Sequence, residues 1–506
     1  MINNTGQEDT ITPTPATPAR RSAFQVIARN TVFVMLAQIA LRGLAFLFNI
    51  FVVNRLGDTG FGQYSIVLAW TGIFAFIGDM GIAQYMTREI ARDREKSVTM
   101  FWDVAALRLI LAVIAIAVTV VGAVMRGYSG ELVVAIAVLS SSYFIQAFLT
   151  PLQATIAGHE RLDVLSVLTV FGQVIFYVVA AIFLVLKPGF LWLVIASMVN
   201  LPVLTAICTW IVVREKMHPP RFKLTPANWL PLLKFGLPFA LIQVSLTFAF
   251  RFDTLILEAN YSDDVVGWYN AAYTLTRSLL ILSSAFTVAL VPTMAREYVT
   301  DPDIIRPWYF RTIKFITLIG LPLAMGGMVL ADKIILRLYQ PDFAPAVLAF
   351  AILIWDTPLL MYTSICGNFT TAMKQEKKAA WVYGSEGIFN IAMNLLLIPR
   401  YGILAASVVT VATELVGTIM FYLIFRRELG PGLGLYSMLR ITLASVLMGA
   451  GIFFLRQWNV FLLVALGVMV YFLLIWALRA LNPEDVAILT RVSSKLKSRL
   501  PAFLRR

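Results

Sequence analysis

FWDVAALRLILAVIAIAVTVVGAVM, residues 101–125, decides the class of fold. Its only charges, Asp103 and Arg108, lie near its start, and the rest is an unbroken apolar run. At about 1.5 Å per residue the whole stretch exceeds the roughly 30 Å hydrocarbon core of a bilayer. A strand has no need of that length, and only a helix satisfies its own backbone in lipid. Comparable stretches recur at 30–53, 62–86, 131–157, 163–186, 190–213, 231–259, 265–293, 308–330, 343–371, 379–398, 402–425, 436–455 and 459–480. The chain therefore reads as an all-α integral membrane protein with about fourteen transmembrane helices. Short connections make neighbouring helices antiparallel.

The composition agrees. Of 506 residues, 59% are hydrophobic and 14% charged, against about 25% charged in a soluble domain. The net charge of +13 does not mark a nucleic-acid partner, because Lys and Arg sit between the apolar stretches. If the N-terminus is cytoplasmic, 30 of the 41 basic residues face inward, four lie within helices, and seven face outward: Arg55, Arg126, Lys187, Lys333, Arg337, Arg400 and Arg456. Such a bias orients a membrane protein and places both termini in the cytoplasm, which requires an even helix count. Cys208 and Cys366 fall inside apolar stretches, and His159 and His218 lie at loops without ligand spacing, so no disulfide or metal site is expected. The Thr- and Pro-rich start lacks the order of a cleaved signal peptide.

Residues 1–23 read as a disordered cytoplasmic tail, 24–225 as a lobe of helices 1–6, and 226–430 as a lobe of helices 7–12. Residues 431–481 hold two appended C-terminal helices, and 482–506 form a basic cytoplasmic tail. A weak repeat supports the two six-helix lobes. Gly62-Gln63-Tyr64 opens helix 2 and Gly267-Trp268-Tyr269 opens helix 8, while Arg88-Glu89 and Arg296-Glu297 follow the inner ends of the same helices. Prolines at 151, 202, 238, 322 and 358 fall inside helices; each is either a tolerated membrane proline or a bend.

Charges within the apolar stretches are costly and tend to face a cavity or a partner. They are Arg42, Asp79, Arg108, Arg251, Asp253 and Arg277, with Asp356, Glu386 and Glu414 in the second half. Arg108 lies close enough to the cytoplasm to snorkel. Arg251 and Asp253 are two apart and cannot share a helix face. Arg42, Arg251 and Arg277 are the candidate substrate-binding residues, because a guanidinium suits a phosphate-bearing ligand. Asp79 and Asp253 are candidates for ion coupling or for pairing with those arginines. No Gly-rich phosphate loop occurs and no loop is long enough for a catalytic domain, so the chain reads as a transporter rather than an enzyme.

A family resemblance follows from particular motifs. Asn54-Arg55-Leu56-Gly57, Gly60-Phe61-Gly62-Gln63-Tyr64, Gly78-Asp79-Met80-Gly81 and Thr87-Arg88-Glu89-Ile90-Ala91-Arg92 occupy helices 1 and 2. Gly158-His159-Glu160-Arg161-Leu162-Asp163 ends helix 4, and Phe235-Gly236-Leu237-Pro238-Phe239, Arg251-Phe252-Asp253, Gly267-Trp268-Tyr269-Asn270-Ala271-Ala272-Tyr273 and Val291-Pro292 mark helices 7 and 8. In order and spacing, over residues 25–425, they resemble the polysaccharide transporters (O-antigen flippase-like) of the multidrug/oligosaccharidyl-lipid/polysaccharide exporter superfamily. The resemblance implies a flippase carrying a polyprenyl-diphosphate-linked oligosaccharide from inner to outer leaflet for cell-surface polysaccharide or lipopolysaccharide synthesis. It further implies a prokaryotic cytoplasmic (inner) membrane, lipid contacts, a polysaccharide polymerase or ligase as partner, and a cavity lined by helices 1, 2, 7 and 8. No cofactor is expected beyond coupling to a proton or sodium gradient. The alternatives are a multidrug cation/proton antiporter of the same superfamily and a membrane-embedded glycan ligase or polymerase. A major-facilitator transporter fits less well, since the residues after Gly78-Asp79 depart from its pattern.

Overall fold

The computed structural model describes residues 18–217, 222, 224–279, 301, 304–430 and 435–481. The expected basic C-terminal tail, the Val291-Pro292 and Arg296-Glu297 motifs, and the second half of helix 8 lie outside these residues. Among the described residues the chain is entirely helical apart from its turns. The helices are α1 (Pro18–Asp79), α2 (Ile82–Arg92), α3 (Lys96–Arg126), α4 (Gly130–Gly158), α5 (Leu162–Leu186), α6 (Phe190–Arg214), α7 (Trp229–Asn260) and α8 (Asp263–Ser278). They continue as α9 (Ile305–Val329), α10 (Ala331–Leu338), α11 (Ala346–Leu353), α12 (Asp356–Ala372), α13 (Glu376–Leu429), α14 (Leu435–Phe454) and α15 (Val460–Ala477).

Among the described residues, ten helical stretches are long and apolar enough to cross a membrane. Two of them are each a folded pair. α1 turns at Gly57 (φ 71°) and α13 at Gly402 (φ 53°), conformations that a side chain resists and glycine accepts. Counting these pairs gives twelve segments among the described residues, and α7 and the described part of α8 stand where the other two were expected. Two details depart from the sequence reading. The first helix begins at Pro18, so residues 18–23 are helix rather than tail. The stretch 343–371 is broken into α11 and α12, preceded by the short α10 and a 3-10 turn at Pro341–Phe343. Asp356 and Pro358 stand at this break, but window-averaged hydropathy passes across them.

The helices group into two lobes that meet along α1, α2, α7 and α8, while α14 and α15 pack beside α9. At the end carrying Gly57 and Gly402, one apolar core runs through both lobes and includes Val52, Phe61, Leu193, Leu257, Tyr269, Phe350 and Ala405. At the opposite end, which carries Arg88, the cores are separate. One gathers Ile82, Met86, Phe101, Ile156 and Leu204, the other Ile305, Met361, Phe369 and Phe425. Burial thus joins the lobes firmly at one end and lightly at the other. Asp103 on α3 accepts from the Thr225 backbone N–H at 2.6 Å and from Asn228 Nδ2 at 3.1 Å, which fastens the inter-lobe connection just before α7.

Candidate functional site: an arginine-lined cavity between the lobes

At the Gly57 end, α1 and α8 come together at glycines from the two repeated motifs. A Cβ on Gly62 would enter the Asp263 carbonyl and lie 3.0 Å from the Gly267 nitrogen; one on Gly267 would enter the Asp58 carbonyl and lie 3.2 Å from the Gly62 nitrogen. The polar contacts are equally reciprocal. Gln63 Nε2 donates to Asp263 at 3.1 Å, and Trp268 Nε1 donates to Asp58 at 3.1 Å. Asp58, Gly62 and Gln63 stand at the same sequence offset from Asp263, Gly267 and Trp268, so the seal obeys an internal two-fold relation. Asn54 Nδ2 to the Leu338 carbonyl (2.6 Å) and Gln340 Nε2 to the Asn54 carbonyl (2.9 Å) reinforce it.

A second glycine contact closes the Arg88 end. A Cβ on Gly236 of α7 would lie 2.6 Å from the Met80 carbonyl, and one on Gly81 would enter the Gly236 carbonyl. Tyr85 stacks on Phe235 at 5.4 Å, and the Arg88 guanidinium lies over Phe239 at 5.7 Å.

Between the two seals lies a cavity of about 400 Å³. Arg42, Arg251 and Arg277 all line it, together with Asn49, Ser65, Gln173, Asn270, Thr274, Ser278 and an aromatic group that includes Phe48, Phe176 and Tyr177. The three candidate arginines, from three helices and from positions far apart in the chain, are brought together. Arg277 is stacked over Tyr273 at 4.8 Å. Among the described lining residues no carboxylate occurs.

The two candidate aspartates do not line this space. Asp79 forms an ion pair with Arg108 of α3, which also donates to Thr150 at 3.1 Å. Arg108 is buried, 4% exposed, so it meets a partner instead of snorkelling; the apolar neighbours of α3 and α4 leave it no path to water. Asp253 is buried among Tyr269, which donates to it, the Thr254 backbone N–H at 2.7 Å, and, through Tyr269, Thr410 at 3.2 Å. Neither aspartate is paired with a cavity arginine. Glu258, further along α7, accepts from Tyr128 at 3.0 Å and pairs with Arg126 at 3.6 Å.

A further polar group lies in the second lobe. Thr363 donates to Glu414 at 2.9 Å, and the Glu386 carboxyl fills the place where a side chain on Gly417 would stand. Asp356 and Glu414 lie within electrostatic range of Arg277 and partly balance it. The sequence marked all three acids as intramembrane charges but had no means of placing them behind Arg277. It also passed over the aromatic wall, since phenylalanine and tyrosine in a membrane helix look like ordinary packing.

A helical membrane bundle of two pseudo-symmetric lobes, closed at both ends over a polar cavity, has the architecture of a transporter rather than an enzyme. The chain belongs to the polysaccharide biosynthesis protein family, whose family model matches residues 27–297. A probable low-salt glycan biosynthesis flippase, Agl15 of Haloferax volcanii, is 21% identical over 397 residues, 78% of this chain and 82% of that protein. The probable flippase AglR of the same organism is 24% identical over 172 residues, 33% of this chain and 36% of that protein. In fold, the chain is similar to the lipid II flippase MurJ in an inward closed conformation (TM-score 0.73, 13% identity, 88% of this chain and 98% of that one). It is also similar to an inward-facing multidrug resistance MATE family transporter of the MOP superfamily (TM-score 0.62, 18% identity, 77% and 94%).

Proposed function

We propose that this protein is a flippase moving a polyprenyl-diphosphate-linked oligosaccharide from the inner to the outer leaflet by alternating access. The observation that carries the reading is the convergence of Arg42, Arg251 and Arg277 on one cavity between two glycine-lined seals. Guanidinium groups hold oxyanions through paired, charge-assisted hydrogen bonds, and a diphosphate offers several such oxygens. In this reading the Gly57 end is the outer face and the Arg88 end the inner face. The lipid tail stays in the bilayer while the headgroup occupies the cavity. Opening the α2–α7 seal admits it from the cytoplasm, and opening the α1–α8 seal releases it outside.

The proposal includes the prokaryotic cytoplasmic membrane as the location, both termini inside, and a polysaccharide polymerase or ligase as consumer of the product. If transport is coupled to a proton or sodium gradient, Asp253 is the better candidate, because Asp79 is neutralised by Arg108. A cation antiporter is disfavoured by a lining with three arginines and no carboxylate among its described residues.

The test uses the full chain in vesicles with a fluorescent polyprenyl-diphosphate oligosaccharide, beside Arg42→Ala, Arg251→Ala and Arg277→Ala. Protein-dependent exposure at the far face, lost in the three variants, is expected. Exposure that survives all three variants removes the arginine site from the proposal. Efflux of organic cations without glycan movement overturns the flippase reading.

A further inference from the structure

The rings of the cavity cluster on one side, although the arginines do not: Arg42 shares α1 with Phe48, and Asn270 of α8 is a lining amide on the other side. The α7 and α8 wall carries Arg251 and Arg277. Facing it, α1 and α5 contribute an aromatic group: the Phe48 ring meets Phe176 at 5.5 Å, edge to face, and Tyr177 at 4.5 Å, tilted by 35°. Phe176 and Tyr177 are themselves 5.6 Å apart. Phe48 and Phe176 pack against the shared core but each keeps part of its surface exposed and lines the cavity. Two amide side chains, Asn49 on α1 and Gln173 on α5, sit in the same lining. Asn49 follows Phe48 directly in sequence, and Gln173 lies three and four residues before Phe176 and Tyr177, within one helical turn.

Ring faces interleaved with amides are a poor surface for a phosphate, because the faces carry negative charge density. They are also an unneeded refinement for a hydrocarbon tail, which asks only for apolar area. A pyranose matches both features. Its axial C–H groups form an apolar patch that lies on a ring, and its equatorial hydroxyls pair with amide donors and acceptors. The volume supports a compact ligand, since about 400 Å³ is near the lower end of the roughly 300–1,000 Å³ typical of small-ligand sites.

We infer that Phe48, Phe176 and Tyr177, with Asn49 and Gln173, form a sugar subsite that reads the first saccharide next to the diphosphate, while the arginines hold the diphosphate itself. The inference rests on the flippase reading and deepens it. The cavity recognises two parts of one headgroup, the diphosphate through arginines of both lobes and the sugar through rings of the first. The aromatic wall then distinguishes a glycosylated carrier from the bare carrier, which has no cargo.

The probes are farnesyl diphosphate and the same lipid bearing one N-acetylglucosamine on its distal phosphate. Binding to the purified full chain is followed by calorimetry. Wild type is expected to hold the glycosylated probe about tenfold more tightly, as one or two ring contacts would give. Phe48→Leu and Phe176→Leu keep apolar volume and remove the ring; each should lower affinity for the glycosylated probe and leave bare-probe affinity within about twofold. Arg277→Ala should weaken both probes alike. Equal affinity of wild type for the two probes overturns the inference and leaves the flippase reading intact. So does equal weakening of both probes in the Leu variants, which assigns the wall to the tail. Failure of wild type to bind either probe overturns both readings.

Discussion

Asp79 shows how a single residue divides between what sequence reveals and what it conceals. A carboxylate inside an apolar stretch stands out in one dimension, but its counter-charge, Arg108, lies on another helix and becomes its partner only through packing. The same holds for Glu258, claimed by Arg126 and Tyr128. The arginines were legible for a different reason. Arg42, Arg251 and Arg277 lie inside apolar stretches, where a charge is costly, so a shared polar space was the economical expectation. Replacing Asp79 with Ala leaves the Arg108 guanidinium buried and unpaired. A fully buried pair broken in this way costs about 3–5 kcal/mol; the partial exposure of Asp79 lowers the expectation to about 2–3 kcal/mol. Thermal unfolding in detergent should show the loss, and Asp79→Ala combined with Arg108→Leu should recover most of it. Glu89, at the Arg88 end beyond the spans, allows a pH test. Lys96, donating at 2.6 Å, holds its carboxyl below the usual carboxylate range, with Arg92 and Arg88 assisting. A lowered folded-state value adds stability above the unfolded value of about 4.3, and that stability is lost as pH falls through the folded value. Wild type should therefore exceed Glu89→Gln in Tm at neutral pH, and the two should converge as pH falls through the folded value.

At the scale of elements, the two seals explain the repeated motifs. Hydropathy located helices 2 and 8 and noticed that both open with a glycine and a tyrosine two residues on. It did not reveal that Gly62 and Gly267 face one another, because a contact between repeats is a property of their assembly. Glycine at these sites permits backbone to approach backbone, which no other residue allows. The seals can therefore be opened one at a time by adding side chains. Gly267→Leu should hold the Gly57 end apart, and Gly236→Leu should hold the Arg88 end apart; both positions are helical, so the backbone is not strained. With a reporter at Thr274→Cys in the cavity, a membrane-impermeant thiol reagent should react from outside in the first variant and from inside in the second. Native Cys208 and Cys366 are buried and stay silent. Both variants should transport at a small fraction of the wild-type rate. Reactivity from the same side in both variants would contradict the assignment of the seals. The turns at Gly57 and Gly402 were also partly legible as breaks between apolar runs, whereas the break between α11 and α12 was marked by Asp356 and Pro358 but left inside one apolar run, because hydropathy averaged over a window passes across a single charge.

For the whole molecule, the requirement is that both seals never open together. α7 forms one seal through Gly236 and α8 the other through Gly267, so the pair behaves as a lever only if the two helices are joined. Tyr269 of α8 donates to Asp253 of α7 and also meets Thr410 of α13, which ties the lever to the body of the second lobe. Hydrogen bonds to a charged group contribute about 1.5–3 kcal/mol, enough to change the ratio of two conformations by roughly 10- to 150-fold. Tyr269→Phe removes this link and keeps the ring in its core. Diphosphate binding at the cavity should persist, because Tyr269 is not in the lining. Transport should fall, and the Thr274→Cys reporter should become reactive from both faces of the same vesicle population, since the seals no longer report to each other. Asp253→Asn, which can still accept from the tyrosine, should show a smaller effect. If instead Tyr269→Phe abolished diphosphate binding while reporter access stayed unchanged, the tyrosine would belong to the site rather than to the lever, and the joining of the seals would have to reside in the apolar core that both lobes share near Gly57.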